Sequence, residues 1–147
     1  MIELNDFINI LGEKGLLKIE QPTWELLEVF HGEGCFQHYR VNKYPLLRKV
    51  YNAKKDVAGI YAYFQESRCI YIGVTKDLRE RIYQHLLESC NVWGNKRYKE
   101  TFVKYPGNLK LYFLPLGDQT KHGDYLRSIV EKILQVKHNP EHESIKL

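Results

Sequence analysis

Residues 57–89 read VAGIYAYFQESRCIYIGVTKDLRERIYQHLLES, and a change of period inside this stretch decides the fold. Val57 to Phe64 and Cys69 to Val74 are rich in β-branched and aromatic residues, and Gln65-Glu66-Ser67-Arg68 between them is polar. That pattern predicts two antiparallel strands joined by a short turn. Alternation along a strand places Tyr61 on the face of Gly59 and Tyr63, with Ile60 on the other. Gly59 and Gly73 are unusual inside strands, where glycine weakens packing unless a bulge or a close backbone approach requires it, and the expectation is that a ligand can come close there. Directly afterwards, Asp77 and Glu80 form a capping box, which predicts a helix from about Leu78 to Ser89. Leu78, Ile82 and Leu86 repeat every four residues and form its buried stripe. Arg81 and His85 lie along one edge of that stripe, beside the strand that carries Tyr71. By themselves the tyrosines fit an ordinary twisted-sheet core. Joined by a guanidinium and an imidazole they suit a phosphate better, since the arginine fork matches phosphate oxygens.

Working towards the C-terminus, Asn91 to Lys104 interleaves Lys96, Arg97, Lys99 and Lys104 with Trp93, Tyr98 and Phe102. Tyr98, Phe102 and Tyr105 fall at helical spacing, which predicts an amphipathic helix with its aromatics inward and its bases in solvent. Pro106-Gly107-Asn108 makes a turn, and the alternation of Leu109, Leu111 and Phe113 predicts a third strand over Leu109 to Leu116. A last helix is expected from Asp124, as N-cap, to about Lys137, with Leu126, Ile129, Val130 and Ile133 inward. Glu131 then falls on a flank, where a solvent ion pair with Arg127 is the plain reading.

Working towards the N-terminus, the first 55 residues read as mostly helical. Phe7, Ile10 and Leu11 form one short stripe, Trp24 to Phe30 another after Pro22, and Pro45 to Tyr51 a third, with Gly32-Glu33-Gly34 as an interruption. The expectation is a helical extension over residues 1–55 and a second unit over 56–147.

A chain of 147 residues with formal net charge +4 and pI near 8.9 suits an anionic partner. Cys35, Cys69 and Cys90 are too few and too scattered for a disulfide framework, which points to a reducing cytoplasm, with association with a nucleoid compatible. The N-terminal residues lack a basic-then-apolar leader and no apolar run approaches a membrane span. No membrane partner is expected. His31, Cys35 and His38 are spaced like part of a zinc site without an evident fourth ligand. No cysteine has an obvious histidine and asparagine pairing for thiol catalysis, and no glycine-rich loop of the phosphate-cradling type appears.

The tripeptides Gly59-Ile60-Tyr61 and Tyr71-Ile72-Gly73, their spacing, the downstream Arg81 and the distal Glu131 resemble the GIY-YIG nuclease family over residues 57 to 140. Glu131 and Pro140 nine positions later are similar to the glutamate and trailing proline of the family's excision-repair members. An asparagine is usual three residues beyond that proline, where this chain has Glu143. The resemblance implies an α+β domain, a small three-stranded antiparallel sheet flanked by helices, that hydrolyses DNA phosphodiester bonds. By the same resemblance, Tyr61 would take the proton of the attacking water with help from Lys76, and Tyr71 would hydrogen-bond the phosphate or the water. Arg81 would neutralise the developing charge, His85 would bind phosphate or assist proton transfer, and Glu131 would hold one Mg²⁺ or Mn²⁺ per active site. Arg79, Lys96, Arg97, Lys99 and Lys104 are the expected contacts to the DNA backbone. One such site cuts one strand, so a homodimer would be needed to cut two. Restriction, repair or branched-DNA, and mobile-element roles stay open. The alternative class is a nucleic-acid-binding module that keeps the fold without turnover.

Overall fold

The computed structural model describes residues 24–32, 57–89 and 96–141, without the side chains of residues 96–99. Strands β1 (Glu25–His31), β2 (Gly59–Gln65), β3 (Arg68–Thr75) and β4 (Gly107–Pro115) form one sheet in the order β1-β4-β2-β3, antiparallel throughout. Helices α1 (Leu78–Ser89), α2 (Lys96–Lys104) and α3 (Lys121–His138) flank it. The fold is the α+β class expected, and the hairpin and the third expected strand lie within two residues of their expected bounds. No helix among the described residues is long and apolar enough to cross a membrane.

The hairpin turns at Glu66-Ser67, and its register sets Tyr61 opposite Gly73 and Tyr63 opposite Tyr71. This brings three phenol rings onto one face of the sheet. There they pack with Leu27, Val29, Leu109 and Leu111 under Leu78 and Ile82 of α1 and Phe102 of α2. The other face, built from Ile60, Ala62, Phe64, Ile72, Leu114 and Leu116, is covered by Val130 and Leu134 of α3. Each face therefore has its own helical cover, as burial of both sides of a small sheet demands.

Two expectations are corrected here. The helical stripe expected over Trp24 to Phe30 is strand β1, so the sheet has four strands, not three. Leu27, Val29 and His31 alternate inward while Glu25, Leu26 and Glu28 face solvent. The whole strand pairs with β4, from Glu25↔Phe113 to His31↔Gly107. Local spacing alone allowed either period; cross-strand pairing selects the period of two. The other expected helical stretches of the first 55 residues lie outside the described residues, as do Cys35, His38, Cys90 and Glu143.

The second correction concerns α3. Its N-cap is Thr120, one turn before Asp124, and Asp118 accepts a hydrogen bond from the Thr120 backbone N–H at 2.9 Å. The buried stripe is also rotated from the expected one: Ile129 is 54% exposed, and Arg127 and Glu131 are buried with Val130 and Leu134. Asn139 closes the helix in the left-handed region at φ 46°, a conformation asparagine tolerates.

The β1 assignment has a direct check. Leu27→Ala should lower stability by about 2–4 kcal/mol in chemical denaturation. Leu26→Ala, at a solvent-facing position, should change it by under about 0.5 kcal/mol. Similar losses at both positions would contradict the strand.

Candidate active site

The hairpin and α1 together build a buried polar cluster. Tyr61 and His85 have no solvent exposure and Tyr71 is nearly as buried. The Tyr61 Oη lies 2.6 Å from Nε2 of His85 and 3.5 Å from the Tyr71 Oη, and Nδ1 of His85 lies 3.0 Å from Oε1 of Glu88. Burial pushes the Tyr61 phenol well above its ordinary value of about 10, opposed by Tyr71 and by the Arg81 guanidinium. Phe102 of α2 lids the imidazole with ring centroids 4.7 Å apart.

The second glycine of the hairpin makes this packing fit. A Cβ on Gly73 would stand 2.6 Å from the Tyr71 ring and 2.7 Å from the Tyr61 Oη. At Gly59 it would stand 2.4 Å from the Leu114 carbonyl oxygen. The close approach expected at these glycines is thus made by protein atoms.

Beside the cluster, a cleft of about 500 Å³ opens between α1 and α3. Val74, Thr75, Lys76, Arg81, Asp124 and Arg127 are among its lining residues. Arg81 is half-buried, donates to Gln84 Oε1 at 3.2 Å, and its charge opposes the upward shift of the Tyr61 phenol. It joins the open cleft to the buried cluster. Lys76 instead faces Asp124, with Nζ 3.4 Å from Oδ2, across the mouth of the cleft. Asp124 Oδ1 also accepts from Arg127 Nη2 at 2.6 Å, and Arg127 Nη1 donates to the carbonyls of Leu116 and Asp118 at 3.0 and 2.7 Å. The solvent pair expected between Arg127 and Glu131 gives way to this clamp on the loop before α3.

Glu131 lies four residues beyond Arg127, on the same face of α3. It is 7% exposed and accepts a hydrogen bond from the backbone N–H of Val74, a cleft residue. Burial pushes its carboxyl up from 4.5 to about 7, against the opposing pull of Lys132. A carboxylate held this way calls for a cation. Among the described residues no group of three or more His, Cys, Asp or Glu is placed to share a metal, so a metal at Glu131 would be held by one carboxylate with water and substrate oxygens. That donor set suits Mg²⁺.

The profile of the GIY-YIG catalytic domain family matches residues 57–141. The chain belongs to the GIY-YIG family. Membership makes it a GIY-YIG-type endonuclease, a hydrolase of phosphodiester bonds. Among solved structures it is similar to the GIY-YIG N-terminal endonuclease domain of UvrC from Thermotoga maritima. A point mutant of that domain bound to its catalytic divalent cation aligns with 18% identity and a TM-score of 0.49, covering 69% of this chain and 99% of the other. The same domain bound to magnesium aligns with 18% identity and a TM-score of 0.48, covering 68% and 98%. Comparison with curated proteins finds no match.

Within the GIY-YIG domain, Tyr61, Tyr71, Arg81 and His85 come together. Lys76 and Glu131 stand on the cleft side of β3, and the cation acting on the Tyr61 phenol is Arg81. Of the expected backbone contacts, Arg79 lies half-buried on α1 and Lys104 is exposed at the end of α2, with Nζ 5.4 Å from the Tyr105 ring centroid. Lys96, Arg97 and Lys99 lie on α2 with their side chains outside the described residues. Two features escaped the sequence reading. Glu88 reads as the solvated end of a helix, and Asp124 as a cap. Their spacing to His85 and Arg127, three residues in each case, was the available signal. His31, one of the three residues of the zinc spacing, packs wholly buried against Tyr63 and Phe102, and burial pushes its imidazole down to about 3. Burial likewise pushes the Cys69 thiol up to about 12, which leaves no thiolate for catalysis at neutral pH.

The buried carboxyl has a signature in stability. Its folded value lies above its unfolded one, so the folded state holds more protons between pH 4.5 and 7. Glu131 should therefore support stability fully below pH 4.5 and lose that support as pH rises through 7, by at most about 3 kcal/mol. Relative to the parent chain, Glu131→Gln should gain stability over that window and melt no lower at pH 8, measured without divalent cations. Gly73→Ala should cost about 2 kcal/mol or more and cut activity, because either phenol must move.

Proposed function

We propose that this GIY-YIG domain cleaves DNA with a single divalent cation held at Glu131 and one scissile phosphate bound at Arg81. The observation that carries this reading is the placement of Arg81, which lines the open cleft and stands near enough to the buried cluster for its charge to favour the ionised Tyr61 phenol. A phosphate entering between α1 and α3 would meet the guanidinium first. It would then lie beside two phenols held by the sheet. Arg81 binds the non-bridging oxygens and neutralises the charge that grows on them, a contribution of about 3–4 kcal/mol for a well-placed donor. Tyr61 orients the attacking water and takes its proton, and Tyr71 hydrogen-bonds the phosphate or the water. His85 assists the proton transfer at the Tyr61 oxygen.

Mg²⁺ or Mn²⁺ on Glu131 would supply Lewis-acid stabilisation of the leaving oxygen. Lys76 adds charge at the cleft mouth once the incoming backbone competes for its pair with Asp124, an exposed pair that holds weakly. Arg79, Lys96, Arg97, Lys99 and Lys104 contact flanking phosphates. The chain acts in the cytoplasm on DNA, and residues 1–55 form an extension of the nuclease domain that contributes β1 to its sheet. One site cuts one strand per encounter, so a monomer nicks, and double-strand breaks require a homodimer with sites facing opposite strands.

The deciding experiment is nicking of supercoiled plasmid in Mg²⁺ or Mn²⁺, beside the same protein in chelator. The parent chain should nick only with the cation. Glu131→Gln should lose more than tenfold in rate, above about 1.4 kcal/mol, while still binding DNA in chelator. Arg81→Ala should lose about 10²–10³-fold. At pH 8, Mg²⁺ should raise the melting temperature of the parent but not of Glu131→Gln. DNA that stays intact in every cation, with binding preserved, would favour a non-catalytic nucleic-acid-binding domain. If Arg79, Lys96, Arg97, Lys99 and Lys104 contact phosphates, neutralising two of them should flatten the salt dependence of binding by roughly two units.

A further inference from the structure

Glu88 stands in the last turn of α1, almost wholly buried, with Oε1 3.0 Å from Nδ1 of His85. A carboxylate there is unfavourable on two counts. It is removed from water, and it lies at the end of the helix where the macrodipole is negative. A helical pair three residues apart repays little of either. What the pair does accomplish is to fix the imidazole. With Glu88 ionised the carboxylate only accepts, which puts the ring proton on Nδ1 and leaves the lone pair of the neutral ring at Nε2. That lone pair meets the Tyr61 oxygen at 2.6 Å. Tyr63, Tyr71 and Phe102 pack around the ring at centroid distances of 5.9, 5.0 and 4.7 Å, leaving no solvent at the imidazole to take the proton instead.

We infer that Glu88 is a positioning residue for phosphodiester cleavage, the far end of a buried carboxylate–imidazole–phenol chain that lets Tyr61 take a proton from the attacking water while passing its own to His85. This rests on the nuclease reading above. In the step, the Tyr61 O–H bond breaks as Nε2 of His85 takes that proton. The phenol oxygen takes one proton from water, and the hydroxide forms its bond to phosphorus as the bond from phosphorus to the leaving oxygen breaks. The leaving oxygen takes a proton from solvent. The imidazolium, balanced by Glu88 while it lasts, returns its proton to the Tyr61 oxygen, which releases the proton it took from water to solvent after product leaves. No phenolate is built up in the core at any point. That matters because burial disfavours the free phenolate.

The test is a double-mutant cycle read at saturating DNA in Mg²⁺. Glu88→Gln should slow single-turnover nicking more than fivefold with DNA affinity unchanged within twofold. In a His85→Gln background the same change should slow it less than twofold, since its route of action is gone. A loss under fivefold in the parent, or equal losses in both backgrounds, would overturn the inference, because a purely structural carboxylate acts on both alike. Nitrogen NMR of the parent protein is independent of how the variants fold. His85 should be the neutral form protonated at Nδ1, and a ring protonated at Nε2 alone would overturn the chain. A parent protein that cuts no DNA would sink the nuclease reading, while the NMR result would still decide the geometry of the chain.

Discussion

The outer edge of β3 carries backbone groups that no strand of the described sheet pairs, and α3 with its exit segment supplies their partners. The N–H of Val74 donates to the Glu131 carboxylate. Further along, the Cys69 carbonyl accepts from the Glu141 N–H at 3.1 Å, where Arg68 and Glu141 also pair at 3.5 Å. A bare sheet edge invites pairing with other chains, so covering it is a requirement of the fold. Here the cover also sets a buried carboxylate against Val74, a residue of the cleft wall. The phenols lie on one face of the sheet and α3 on the other, and groups on opposite faces can converge only around an edge. The strand order β1-β4-β2-β3 keeps that edge free of a fifth strand and puts β1 at the far side.

The buried half of the site follows from the hairpin register. Because Tyr61 is opposite Gly73, its ring occupies the space a side chain would have taken, and its oxygen comes within reach of α1. Helical spacing then orders the partners along that helix. Arg81 and His85 are one turn apart, one facing the cleft and the other the core, and Glu88 follows three residues on. A phenol enclosed this way is a poor base in isolation. The same enclosure shortens its contact with the imidazole and keeps competing water out.

Residues 57–89 were legible because their signals are local. Alternation gave two strands, the Asp77 and Glu80 pair gave the start of α1, and the four-residue repeat gave its buried stripe. Arg81 and His85 were legible as a pair, while the division of labour between them was not, since it depends on how deep α1 sits against the sheet. β1 was misread because its seven residues fit either period and only β4, some eighty residues away, decides between them. The start of α3 was misread because Asp118 and Thr120 form the capping turn with a glycine-containing segment, and Asp124, a good cap by type, is drawn to Arg127. Glu88 was illegible for the opposite reason: carboxylates near helix ends are usually solvated, and this one is buried only by tertiary packing around α1, against which α2 docks.

The two buried carboxylates place stability and function in opposition. Glu131 loses water and gains one backbone donor, which leaves its ionised form undercompensated until a cation arrives. Glu88 has an imidazole within the chain, with Oε1 3.0 Å from His85 Nδ1, and in the proposed step that ring takes up positive charge when the proton moves. The difference matches their settings. Glu131 stands behind Val74, a residue of the cleft wall. Glu88 stands where nothing from outside can reach, and its counter-charge must be made in place. A fold selected for stability alone would replace both with apolar residues of similar volume. Their retention, one at the open edge of β3 and one at the closed end of α1, is the strongest physical reason to read the tyrosine cluster as chemistry instead of core.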